Sequence, residues 1–192
     1  MTLAEIKAIS HFARDAVAIV KCDGKERFWI VPDDSPVSPI EDAIGRFFTA
    51  HKRYSLGHQQ FTSGSECTEA AESYAGEDGK LVPVYMLDHS IISFSINSFR
   101  DPWDSGQIGY WAFNASDLRE IGDRAPEDYV SAVLKQYEYY VNGWIYGIFD
   151  PEDGVFLACD LYPDEIENAE IIVERIRDYD PDCGTVEVEM LD

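Results

Sequence analysis

The chain has 192 residues, 45% apolar and 13% aromatic, which excludes disorder through low hydrophobicity and is enough to bury a core. Thirty-seven Asp and Glu against fifteen Lys and Arg give a net charge of −22, which repels nucleic acids and anionic membranes and attracts a strongly basic protein groove. No apolar run approaches the roughly 20 residues that span a bilayer, and Met-Thr-Leu-Ala-Glu-Ile-Lys at the start lacks the basic flank and apolar stretch of a secretory signal.

In chain order, residues 2–10 suit a short helix. Ala16 to Val20 and Arg27 to Val31 read as strands around a Cys22-Asp23-Gly24-Lys25 turn. Ser38-Pro39-Ile40-Glu41 has the pattern of a capping box, and predicts a helix to about His51 with Ile40, Ala43, Ile44, Phe47 and Phe48 inward. Residues 55–65 read as loop and Glu66 to Tyr74 as a short helix. The Gly76-Glu77-Asp78-Gly79 stretch then marks a boundary between an N-terminal α+β subdomain, 1–79, and an acidic C-terminal α+β domain, 80–192.

Leu81 to Leu87, Ile91 to Ile96 and Gln107 to Phe113 are β-branched and aromatic, as strands require. Asn114 or Ser116 caps a brief helix to Ile121. Pro126 opens a longer one, with Val130, Val133, Leu134, Tyr137 and Val141 at helical spacing and Asn142-Gly143 as its stop. Trp144 to Phe149 and Val155 to Leu161 form a hairpin around Pro151-Glu152-Asp153-Gly154. A last helix covers Pro163 to Tyr179, and Thr185 to Met190 alternates as a final strand. Hairpins in series with intervening helices predict an α+β fold with a largely antiparallel sheet and three to five helices.

The negative charge is concentrated late in the chain. Residues 101–192 hold five basic and twenty-three acidic side chains, against ten and fourteen in residues 1–100. On the last helix, Ile166, Ala169, Ile172, Val173 and Ile176 share one arc, and Glu167, Glu170, Glu174 and Asp178 form a stripe on the opposite side. Like charges at i,i+4 destabilise a helix by about 0.2–0.5 kcal/mol per pair, so a repeated stripe suggests use. Asp180, Asp182, Glu187 and Glu189 are the expected second row, and Tyr139, off the apolar arc of its helix, is the expected aromatic contact.

Other chemistry has weaker signals. Cys22, Cys67, Cys159 and Cys183 are far apart without a C-x-x-C pair, which suits reduced structural thiols and argues against zinc. Asp150-x-Glu152-Asp153-Gly154 superficially resembles a calcium loop, but a proline-containing turn accounts for it. Asp88-His89-Ser90 joins an acid, a base and a hydroxyl, yet neighbours on extended chain point to opposite faces and cannot relay protons. Asp101 and Asp104 around Trp103 read as turn acids rather than a glycosidase pair. No nucleophile elbow, phosphate-binding loop or dinucleotide fingerprint is present.

Pro83-Val84-Tyr85-Met86-Leu87-Asp88-His89-Ser90, then Pro102-Trp103-Asp104-Ser105-Gly106-Gln107-Ile108-Gly109, then Tyr140-Val141-Asn142-Gly143-Trp144-Ile145-Tyr146-Gly147 resemble proteins of phages, plasmids and integrative elements. The resemblance covers about residues 80–162, and departs at Ile91, where glycine is commoner in that group. A mobile-element origin, with the charge, makes the chain similar in class to the DNA-mimic antirestriction and anti-CRISPR proteins. The expectation is a non-enzymatic, cytoplasmic inhibitor of a bacterial defence system, without cofactor or metal. It would bind the basic nucleic-acid channel of a host protein or complex through Glu167, Glu170, Glu174, Asp178, Asp180, Asp182, Glu187, Glu189 and Tyr139. The alternative is a small enzyme or nucleotide-binding protein with its pocket at the Asp88–Ser90 and Trp103–Gln107 loops.

Overall fold

The computed structural model describes residues 11–191, so the helix expected at residues 2–10 lies outside them. The fold is α+β, with two five-stranded sheets rather than one, and the chain divides into two compact units. Residues up to 37 join those from 143 onward in the first unit, and residues 38–142 form the second. The Gly76–Gly79 turn lies inside the second unit, where it links a helix to a strand of the same layered core.

The first unit begins with α1, residues 11–15, and the hairpin β1 (Ala18–Cys22) and β2 (Lys25–Pro32). Its two-residue turn takes positive φ at both Asp23 (52°) and Gly24 (74°), the conformation that Asp-Gly supplies at low cost. After residue 142 come β8 (Tyr146–Asp150), β9 (Val155–Leu161), α5 (Pro163–Ile166), α6 (Ala169–Tyr179) and β10 (Val186–Met190). The sheet order is β10-β1-β2-β8-β9, antiparallel throughout. One face, carrying Ala18, Val20, Phe28, Ile30, Ile148 and Leu161, packs with Ile166, Ile172 and Ile176 of the two helices. On the other side of β8, Phe12 of α1 meets Phe149 and Phe156.

The second unit contains β3 (Arg46–Thr49), β4 (Gln59–Gln60), α2 (Gly64–Ala75), β5 (Lys80–His89), β6 (Ile91–Ser95), β7 (Ser105–Phe113), α3 (Ala115–Ile121) and α4 (Pro126–Val141). Its sheet order is β4-β3-β7-β5-β6. α4 covers one face over Phe47, Val82, Val84, Trp111 and Phe113. α2 covers the other over Phe48 and Ala112, through Cys67 and Ala71. Ser63 caps α2, and Asn114 caps α3 in a reciprocal box with Asp117.

The expected helix at 40–51 is replaced by turns and β3. Glu41 N–H donates to Ser38 O and Ala43 N–H to Ile40 O, so the capping pattern closes single turns that do not propagate. Gly45 then sits at φ 83°, where a Cβ would lie 2.7 Å from Ala112 O. The adjacent Phe47 and Phe48 are both buried because a central strand buries opposite faces, a pattern that also reads as an apolar helix arc.

His58 locks this region. Its Nδ1 accepts the Phe47 N–H at 2.8 Å, so Nε2 carries the proton and donates to Ile40 O at 2.6 Å. Burial, aided by Arg46, holds the imidazole below its usual pKa. The unfolded chain takes up a proton near pH 6.5, where the folded chain still resists it, so stability is complete above that value and falls as pH drops through the folded pKa. Burial gives His51 the same sign, whereas Asp104 raises His89, which acts oppositely. Urea midpoints are expected to fall from pH 7 to about pH 5, with a shallower fall in His58→Gln. Equal slopes for the two proteins would contradict the lock.

Candidate functional site

Two surfaces carry chemistry, one in each unit. The first is α6. The helix expected over Pro163–Tyr179 is two, because Glu167 ends α5 and the Asn168 side chain accepts the Glu170 N–H at 3.1 Å to start α6. Glu167 therefore lies outside α6. Glu170, Glu174 and Asp178 remain on one exposed face, about 6 Å apart per step along the axis. They border a shallow groove with Ala169, Val173 and Arg177, while Ile172 and Ile176 point into the core. Ile171 is half-buried rather than an open contact.

The second acidic row is not beside the first. Val188 pairs with Val20 and Val186 with Cys22, on the face that meets α6. Glu187 and Glu189 alternate with these valines and point to the opposite side of the sheet. Glu189 is also ion-paired with Lys21, whose pKa rises through that bond. Asp180, half-buried, and Asp182, exposed, lie between α6 and β10. Tyr139 belongs to α4 in the second unit, half-buried with Lys135 Nζ 5.7 Å from its ring centroid. The single acidic surface expected from the sequence is thus divided between two faces of the first unit, with Tyr139 in the other unit.

Among the described residues Glu167, Glu170, Glu174, Asp178, Asp180, Asp182 and Glu187 form no ion pair. Residues 1–37 and 143–192 hold twenty-one acidic and seven basic side chains, net −14, whereas residues 38–142 hold sixteen and eight, net −8.

The second surface is where β5 and β7 bring the two loops of the motif together. Asp88 N–H donates to Asp104 O at 2.8 Å, and Leu87 pairs with Ser105. Asp88 accepts from Arg53 at 2.7 Å and from the Tyr54 hydroxyl at 3.2 Å. The His89 ring turns instead to Asp104, with Nδ1 2.8 Å from Oδ2, which raises its pKa. Asp88 and His89 therefore serve different partners, and Ser90 turns the chain at φ 67°. Asp101 Oδ1 accepts the Trp103 and Asp104 N–H groups, which lower its pKa, so Asp101 and Asp104 are turn and ion-pair acids. Arg53, Asp88, Trp103, Asp104, Gly106 and Gln107 line an open cavity of about 330 Å³, where Trp103 is 91% exposed. The contribution of His51, Arg53 and Tyr54 was hidden in the sequence, since nothing local ties residues 51–54 to residue 88.

Cys22 and Cys183 form a disulfide, which corrects the expectation of four reduced thiols. Cys67 and Cys159 are free. The Cys159 thiol is pushed up to about 11 by burial and by Asp33 and Asp160, the opposite of what a thiolate nucleophile needs. Asp150 of the loop that resembles a calcium site is committed to Arg27 and to the turn N–H groups of Glu152 and Asp153. Among the described residues no group of three or more His, Cys, Asp or Glu is placed to hold a metal, and no helix is long and apolar enough to cross a membrane.

No protein-family model, no curated protein and no solved structure matches this chain.

Proposed function

We propose that the protein is a non-enzymatic inhibitor of a bacterial defence system, restriction or CRISPR, acting in the host cytoplasm. It is an acidic DNA mimic that occupies the basic nucleic-acid channel of its target. The observation that carries this reading is the α6 face. Glu170, Glu174 and Asp178 stand exposed, without ion pairs among the described residues, on a unit of net −14. At about 6 Å per charge the stripe is sparser than one DNA strand, which carries a phosphate per about 3.4 Å of axis. Glu167 precedes α6 in the chain, and Asp180 and Asp182 follow it. Such a field steers Lys/Arg clusters and makes association fast at low salt.

The test is phage plating on cells that carry a restriction or CRISPR system. The wild-type protein is expected to restore plating by about tenfold or more, an effect that a loss of about 1.4 kcal/mol in target binding reverses. The Glu170→Lys, Glu174→Lys, Asp178→Lys triple variant is expected to lose the effect with its circular dichroism unchanged. Glu187→Lys with Glu189→Lys, on the other sheet face, is expected to keep it. Full activity of the triple variant would remove the site assignment.

A second reading, a small-ligand site or enzyme in the second unit, is favoured by the cavity that Asp88 lines together with the Trp103–Gln107 loop. Asp88→Ala with His89→Ala separates the two readings, because it removes ligand-dependent activity and leaves defence inhibition intact.

A further inference from the structure

We infer that the cavity beside Trp103 binds a neutral polyhydroxylated ring, a hexopyranose unit of a sugar or glycan. This rests on the small-ligand reading of that site. Trp103 is a platform and not part of a core: it is 91% exposed, the most exposed large apolar side chain among the described residues. The backbone that carries it is fixed in a turn. The Trp103 backbone N–H donates to Asp101 Oδ1 at 2.8 Å, and the Ser105 hydroxyl donates to Asp101 O. An uncovered indole suits a ligand with an apolar face to lay on it.

Charge selects the ligand class. Arg53 is paired with Asp88 and Asp104 with His89, so the charges at the cavity are matched among themselves rather than aimed at an ionic ligand. The chain's net charge of −22 opposes a phosphate. What the walls offer is donors beside acceptors. Arg53 uses one N–H on Asp88 and keeps the rest of its fork, and Asp104 engages His89 through Oδ2 alone. Gln107 donates weakly to Gly109 O, at 3.3 Å, and keeps its carbonyl oxygen. A hydroxyl both donates and accepts, so neighbouring hydroxyls can donate to a carboxylate and accept from the guanidinium at once. The volume of about 330 Å³ is at the small end for ligand cavities, which suits one ring rather than a buried chain. Gly106 leaves the lining open, since a Cβ there would meet nothing within 4 Å.

Tryptophan fluorescence and calorimetric titrations with glucose, galactose, mannose and N-acetylglucosamine, and with their oligomers, test the inference. ADP and arginine ethyl ester serve as the charged comparisons. At least one sugar is expected to saturate the signal, and Trp103→Ala, an exposed position, is expected to weaken it about tenfold or more. Gly106→Ala adds a methyl group at the lining, where a Cβ meets nothing within 4 Å, and is expected to weaken binding with an unchanged unfolding midpoint. The Glu170→Lys, Glu174→Lys, Asp178→Lys variant is expected to bind sugar normally, so failure here and failure of the α6 reading are separate results. Trp103-dependent binding of ADP or the arginine ester, with none of sugar, overturns the ligand class. Absence of binding by every probe, or binding indifferent to Trp103 and Gly106, overturns the site.

Discussion

Replacing Arg27 with Met is expected to destabilise the protein by about 3–5 kcal/mol, the range for removing one partner of a buried ion pair. Asp150 is fully buried, and its Oδ1 takes the Arg27 guanidinium at 2.8 Å together with the Glu152 and Asp153 N–H groups. Its Oδ2 has no hydrogen-bond partner among the described residues. Without Arg27 the buried carboxylate keeps only the turn N–H groups as partners, and an uncompensated buried group costs free energy. Asp150→Asn is expected to cost less. The amide oxygen still accepts the turn N–H groups, and Arg27, 26% exposed, retains Glu152 at 3.3 Å and water. Urea unfolding of both variants measures the difference. A loss below about 1 kcal/mol in Arg27→Met would show that the pair does not hold the β2–β8 seam.

Loss of the Cys22–Cys183 bridge is the second large effect. The bridge closes a span of 161 residues, and the chain-entropy account gives about 5 kcal/mol for a loop of that size, with about 2–5 kcal/mol usual on removal from small domains. It ties the end of β1 to the turn before β10, beside the Asp23 N–H to Thr185 O and Thr185 N–H to Asp23 Oδ1 bonds. These remain when the sulfurs are separated. Oxidised wild-type protein is expected to lose about 2–5 kcal/mol on reduction, whereas Cys22→Ser with Cys183→Ser should unfold identically with and without reductant. A wild-type midpoint indifferent to reductant would contradict the bridge. In a reducing cytosol the two sulfurs are held as thiols, adjacent and able to close under oxidation.

Much of the local structure was legible because its causes are local. The Asp23-Gly24 turn, the Asn114 cap, the Pro126 start and the Asn142-Gly143 stop each depend on backbone preferences of a few adjacent residues, and each element formed where those preferences place it. Ser38-Pro39-Ile40-Glu41 had equally good local signals, but tertiary structure overrode them. Pairing with β7 buries Phe47 and Phe48 on opposite sheet faces, each in a separate apolar cluster. The Asn168 break in the last helix was also local, but its cap was masked by apolar spacing that continued across it.

The excess of negative charge, the acidic stripe within α6 and the α+β class were readable from the residues alone. Those follow from composition and from periodicities of 3.6 and 2, which need no knowledge of distant partners. Long-range packing settled that the two motif loops meet on β5 and β7, that Glu187 and Glu189 face away from α6, that Arg27 neutralises Asp150, that Cys22 meets Cys183 and that Arg53 enters the Asp88 cavity. Each of these depends on which strands become neighbours, and strand order is set by burial of the whole chain, not by residues close in sequence.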